Sequence, residues 1–219
     1  MYVHKLKTPM ATLQFSHDNA VDTVLVIFKL KPDHTFDEML QIILADYEAF
    51  EKADEFYIAA TLRSLDNAYG ACYGHYKKGI HITTAREQPH FSPTLKALQT
   101  LSDIEILEVE VIPGLSKTDE AAKLSKGDIL HMGLLSTEPE SQQDVIETLQ
   151  KALKESRDSL TSVTLHKSRD GNKVVVIGVW TDVASAQAAT STGSQQAEEV
   201  IGHVVKSKEL IVFEVVLVR

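Results

Sequence analysis

Apolar residues recur along this chain with two alternating periods, and the order of those periods is itself repeated. Residues 23–31 form a β-rich run. A polar stretch at 33–35 then supplies helix-capping chemistry. Phe36, Met39, Leu40, Ile43, Tyr47 and Phe50 follow at helical spacing and predict one apolar helix face over 36–52. Residues 56–65 and 69–77 predict a hairpin turning at Asp66-Asn67. A helical segment broken at Pro89 and Pro93 leads to a strand at 104–112, and Pro113-Gly114 ends the first unit. Polar residues 114–127 read as a linker. The order then recurs: strand 128–136, helix 142–157, strands 160–167 and 173–181, a helical stretch at 182–205 interrupted near Gly193, and strand 209–218. A further hairpin is predicted over residues 2–15, turning near Pro9.

The repetition reaches individual residues. Residues 60–76 (ATLRSLDNAYGACYGHY) align without a gap on 164–180 (TLHKSRDGNKVVVIGVW), at an offset of 104 positions. Arg63 meets Lys167, Ser64 meets Ser168, Asp66 meets Asp170, Gly74 meets Gly178, and Tyr76 meets Trp180. The first helices align at an offset of 106, with Met39, Leu40, Ile43 and Tyr47 on Val145, Ile146, Leu149 and Leu153. The last strands align at that same offset, Glu108 on Glu214.

Each half therefore reads β-α-β-β-α-β, the ferredoxin-like unit of a four-stranded antiparallel sheet with two helices on one face. The strands are apolar on both faces: Val24, Val26 and Phe28 alternate with Leu25 and Ile27. A sheet buried on both sides needs a second cover. The predicted fold is α+β, with tandem ferredoxin-like domains at 1–113 and 128–219 whose sheets pack face to face.

Charge narrows the partners. The net charge is −9 and the 22 Lys and Arg residues are scattered singly, which disfavours nucleic acid and anionic membrane surfaces. Cys72 is the sole cysteine, so no intrachain disulfide forms and a reducing compartment is expected. The N-terminal residues lack a signal-peptide pattern, and the longest apolar run, 210–218, is broken by Glu214. A cytoplasmic protein is expected.

The hairpin feeding an aromatic and then an Ala-rich helix (Val176-Ile177-Gly178-Val179-Trp180-Thr181-Asp182, then Ala184-Ser185-Ala186) resembles the antibiotic biosynthesis monooxygenase (ABM) group of the dimeric α/β-barrel superfamily. Tyr76 holds the aromatic position in the first half, and Gln88-Pro89-His90-Phe91 stands where the group often shows Ser-Pro-His-Phe. The resemblance implies an intrachain pseudo-dimer, which a homodimer can extend. It also implies a cofactor-independent monooxygenase, without metal or flavin, acting on a small aromatic or quinol-like substrate in a cleft between helices and sheet. Haem-degrading relatives use an Asn on the first strand and a His on the helix after the Trp. Strand 129–135 has no Asn and 184–191 has no His, so haem degradation is disfavoured.

With period two, Gly70, Cys72, Gly74 and Tyr76 share one strand face, while Tyr69, Tyr73, His75 and Lys77 share the other. The resemblance turns the Tyr76 face toward the helices, so the three small residues predict a substrate pocket in the first half. The second half, with Val174, Val176, Gly178 and Trp180 there, is expected to be filled. Phe50, Tyr47 or Phe91 can equally fill the first. His90, which the resemblance also favours, is the candidate base for a bound phenol, with His81 and then His75 behind it. Tyr76 would edge the pocket, Tyr47 would stack on the ligand, and Arg86 or Arg63 would hold an anionic oxygen. A non-catalytic ligand-binding or stress-response protein on the same barrel is the alternative. No histidine spacing suggests a metal centre.

Overall fold

The computed structural model of the chain describes residues 11–15, 20–52, 56–79, 92–116, 122–155, 162–188, 201–202 and 204–219. The first helix begins at a capping box. The Glu38 N–H donates to Thr35 Oγ1 at 3.3 Å, and the Thr35 N–H donates to the Glu38 carboxylate at 2.8 Å. Helix α1 (Phe36–Lys52) then buries Phe36, Met39, Ile43, Tyr47 and Phe50 along one face, as the periodicity requires.

The first half supplies β1 (Leu13–Gln14), β2 (Val21–Leu30), β3 (Phe56–Ser64), β4 (Tyr69–Lys77), α2 (Ser92–Leu101) and β5 (Ser102–Ser116). The second supplies β6 (Lys123–Leu124), β7 (Ile129–Ser136), α3 (Gln142–Glu155), β8 (Ser162–Ser168), β9 (Lys173–Trp180) and β10 (Ser207–Val218). A helical turn follows β9 at 183–188. Sheet order β3-β4-β2-β5 in the first half recurs as β8-β9-β7-β10 in the second, and the two sheets close one barrel through seams β5/β8 and β10/β3. The fold is a tandem-duplicated α/β barrel. Closure leaves neither sheet an open edge.

The duplication is visible atom by atom at the hairpin turns. Ser64 Oγ donates to Asp66 Oδ1 at 2.6 Å and accepts the Tyr69 N–H at 2.8 Å. Ser168 Oγ donates to Asp170 Oδ1 at 2.6 Å and accepts the Lys173 N–H at 2.9 Å. Both turns place one residue at positive φ, Asn67 at 58° and Gly171 at 80°. The seams repeat too. Arg63 pairs with Glu214 at 3.1 Å across β3/β10, and Lys167 pairs with Glu110 at 3.0 Å across β8/β5. This register makes Glu110, not Glu108, the counterpart of Glu214, so the last strands keep the hairpins' offset of 104.

The barrel interior is packed with inward strand residues, among them Leu25, Tyr73, Met132, Ile177 and Phe213. Residues 123–124, read from the sequence as linker, instead pair with β1, and fully buried Leu13 and Leu124 join that interior. β1 thus pairs across the chain, and the first nine residues of the predicted N-terminal hairpin lie outside the described residues. Separate apolar clusters lie between each sheet and its helices.

Candidate functional site

Facing geometry decides which side chains can meet. β4 presents Cys72 and Tyr76 to the helix-side cluster of the first half, while Tyr73 enters the barrel interior, as the strand period together with the family resemblance predicts. The small-residue face is occupied, however. A Cβ placed on Gly70 would lie 2.1 Å from Met39 Cε, and one on Gly74 would lie 2.9 Å from the Tyr76 ring. Tyr76 is buried against Phe50, with ring centroids 5.4 Å apart at 68°. Tyr47 donates or accepts a 2.9 Å hydrogen bond with Thr61 Oγ1, and burial pushes its phenol well above the ordinary value, with the Cys72 thiol beside it acting in the same direction. Gly70, Cys72, Gly74, Tyr47 and Tyr76 therefore form closely packed core in the first half, where the sequence predicted a substrate pocket. The physical reason is that long side chains, Met39 and Tyr76 itself, fold over the glycines.

The other sequence candidates separate. His75 lies on the interior face, its Nδ1 3.0 Å from Thr23 Oγ1 and its Nε2 2.9 Å from the Gln14 carbonyl, so the barrel wall divides it from Tyr76. Arg63 is engaged by Glu214. His81, Arg86 and His90 lie outside the described residues. Among the described residues no group of three or more His, Cys, Asp or Glu could hold a metal, and no helix is long and apolar enough to cross a membrane.

The second half behaves differently. His131 on β7 stands opposite Gly178 on β9, and its ring lies over that glycine: a Cβ there would come within 2.4 Å of His131 Cε1. The Trp180 indole N–H donates to His131 Nδ1 at 2.8 Å, and the two rings lie 5.7 Å apart, tilted by 31°. Helix α3 and Ile201 cover Leu135 and Val174 at one end of this sheet face, and Ala186 covers Ile129 and Trp180 at the other. Between them His131, Val176 and Val212 are only half-buried, and Leu210 is 37% exposed. Residues 189–200, which join the two covers, lie outside the described residues, so this strip is defined by the described residues alone.

Its electrostatics follow from its lining. Burial among apolar neighbours pulls the His131 imidazole down to about 4, so it is neutral at physiological pH. An indole only donates, so Nδ1 must accept and the ring proton sits on Nε2. The strip therefore offers an apolar floor of Val176, Val212 and Leu210 and one N–H donor. Sequence reasoning missed His131 because strand 129–135 was searched for an Asn and not for a residue facing Trp180. The signal was present: at period two along 129–135, His131 shares a face with Ile129, whose cross-strand partner is Trp180.

No protein-family model and no curated protein matches the sequence. Solved structures do match along nearly the whole chain. An anthrone oxidase-like protein superposes with a TM-score of 0.76 at 14% identity, covering 95% of this chain and 96% of its own. A candidate monooxygenase from Fusobacterium nucleatum gives 0.58 at 13% identity over 92% and 95%. A ferredoxin-fold protein related to antibiotic biosynthesis monooxygenases, from Listeria monocytogenes, gives 0.53 at 12% identity over 92% and 96%. The chain has the ABM-type dimeric α/β-barrel fold. At these identities the likeness concerns the fold, and function must be argued from the site.

Proposed function

We propose that this protein is a cofactor-independent monooxygenase acting on a small aromatic or quinol-like substrate, bound on the helix side of the second sheet. The observation that carries the reading is the His131–Trp180 pair, set on an incompletely covered apolar strip of that sheet. A planar ring can lie on Val176 and Val212 beside the imidazole, with its oxygen reaching His131 Nε2. The whole-length likeness to an anthrone oxidase-like protein supports the reaction class.

In such a reaction a weakly acidic C–H beside a phenol or ketone loses its proton, and the resulting carbanion reduces dioxygen to a carbon-bound hydroperoxide. Loss of water then leaves a carbonyl, so one oxygen atom enters the product and the other leaves as water. The protein's share is to desolvate the substrate, stabilise its anionic oxygen and remove the proton. No residue of the second half is assigned the last task; His90, then His81, and Arg86 are the sequence candidates for a pocket in the first half, His90 alone with the resemblance also behind it.

Aerobic turnover of a panel of anthrones and quinols tests the proposal, read as oxygen uptake and product absorbance. Oxygen consumed in equimolar ratio to quinone formed, lost in His131→Leu, is the expected result. Binding of panel members without oxygen uptake would instead establish a non-catalytic ligand-binding protein.

A further inference from the structure

The hydrogen bond between Trp180 and His131 has a chemical consequence beyond packing. We infer that Trp180 is a positioning residue that holds His131 as an Nε2–H donor, and that the strip recognises a phenolate or enolate oxygen rather than the neutral hydroxyl. This rests on the reading that the strip binds the aromatic substrate.

The indole cannot accept, so the 2.8 Å contact fixes the imidazole's lone pair at Nδ1 and its proton at Nε2. Without that partner the two tautomers of a neutral imidazole compete, and the donor would be present only part of the time. The ring is also held in place. It rests on Gly178, where no Cβ could fit, and it is tilted against the indole rather than free to turn.

Surroundings then select the ligand's protonation state. Val176, Val212 and Leu210 make the strip apolar, and a hydrogen bond to an anionic acceptor is stronger there than in water. Two described carboxylates on the flanking elements are already engaged. Glu214 on β10 is paired with Arg63, and Asp182 beyond β9 accepts the Ser185 N–H at 2.8 Å. Because the imidazole stays neutral far below physiological pH, it is a poor base at pH 7 and a standing donor. Its place is to stabilise the oxyanion formed when the substrate loses its proton.

Two measurements test this. In ligand-free protein, long-range nitrogen–proton correlation should show His131 in the Nε2–H form and unprotonated down to about pH 4. Trp180→Phe should mix the tautomers. An Nδ1–H tautomer in the wild type would overturn the inference without recourse to any substrate. The second measurement uses 4-nitrophenol, whose two protonation states differ in colour, titrated from weakly acid to weakly alkaline pH. Binding should tighten as the phenol itself ionises. It should weaken roughly 10- to 100-fold in His131→Leu and persist largely in His131→Gln, whose amide N–H can replace the donor. The Gln variant also guards against misfolding of Trp180→Phe. Equal affinity for phenol and phenolate, no binding at all, or no loss in His131→Leu would each refute it. Tight phenolate binding with no oxygen uptake from any quinol would retain the donor assignment and remove the oxygenase reading.

Discussion

Val24 and His131 occupy the same place in the two halves of the barrel. Val24 stands opposite Gly74 on one side and Glu108 on the other, while His131 stands opposite Gly178 and Val212. In the first half the valine is 1% exposed and joins a closed core. In the second, a histidine at that place accepts a hydrogen bond from the Trp180 indole. One position on the first strand thus marks where the duplicated halves diverged.

Restoring the valine should change how stability responds to acid. The folded His131 titrates at about 4 against an ordinary value of 6.5. Between those values the unfolded chain takes up a proton that the folded chain refuses, so the wild type loses stability as pH falls from 6.5 toward 4 and levels off below. The loss is on the order of 2–4 kcal/mol. His131→Val should flatten this part of the profile, while costing ~1–3 kcal/mol at neutral pH because the Trp180 N–H loses its acceptor. Thermal melts across that range check both slopes. Parallel profiles for variant and wild type would show that His131 titrates normally.

Two glycine substitutions separate a yielding neighbour from a rigid one. A methyl on Gly70 meets Met39 Cε at 2.1 Å, the free end of a flexible chain that can swing aside. A methyl on Gly178 meets the His131 ring at 2.4 Å, and that ring is held by Trp180. Gly70→Ala should therefore cost less than ~1.5 kcal/mol, whereas Gly178→Ala should cost more and break the His131–Trp180 bond. Trp180 is the sole tryptophan, so intrinsic fluorescence reports on that bond directly. A shifted emission in Gly178→Ala and an unchanged one in Gly70→Ala is the expected pattern.

Period and spacing were enough to read the architecture from the sequence. Alternation put Tyr73 and Tyr76 on opposite faces, the resemblance turned Tyr76 toward the helices, and the matched hairpins at 60–76 and 164–180 announced the duplication. What could not be read was how far side chains reach. Gly70, Cys72 and Gly74 are small in the sequence, but whether small residues leave a space depends on Met39 and Tyr76, whose rotamers the sequence does not display. The register of the last strands was likewise hidden, because Glu108 and Glu110 both keep the same face. Leu124 joined the core from a polar segment because two paired residues leave no periodic trace.

The paired Asp residues of the hairpins should behave as copies. Asp66 and Asp170 each sit below the ordinary carboxylate value, chiefly because Ser64 and Ser168 donate to them, with the Ala68 and Asn172 backbone N–H groups adding to it. A lowered carboxylate stabilises the fold above its ordinary value, near pH 3.8, and that contribution is lost as pH falls through the lowered one. Asp66→Ala and Asp170→Ala should each cost ~1 kcal/mol at neutral pH, measured by denaturant titration. A large difference between the two would mean that the turns do unequal work despite matching geometry.

The seams are expected to make the halves dependent on each other. β3 pairs with β10 and β5 with β8, so a fragment of residues 1–116 keeps the sheet β3-β4-β2-β5 but loses the partners of both outer strands. It also loses Leu124 from the barrel interior and exposes the inner face, with Leu25, Leu62 and Tyr73, to water. Two unpaired edges and an uncovered apolar face drive association. In a second copy of the fragment, β5 and β3 can take the places of β10 and β8, so the fragment should form a symmetric dimer or aggregate. Sedimentation at low micromolar concentration, compared with the full chain, provides the check. A cooperative, soluble monomer of that fragment would show that each half folds without the other, and the intrachain pseudo-dimer would then be two domains in contact rather than one barrel.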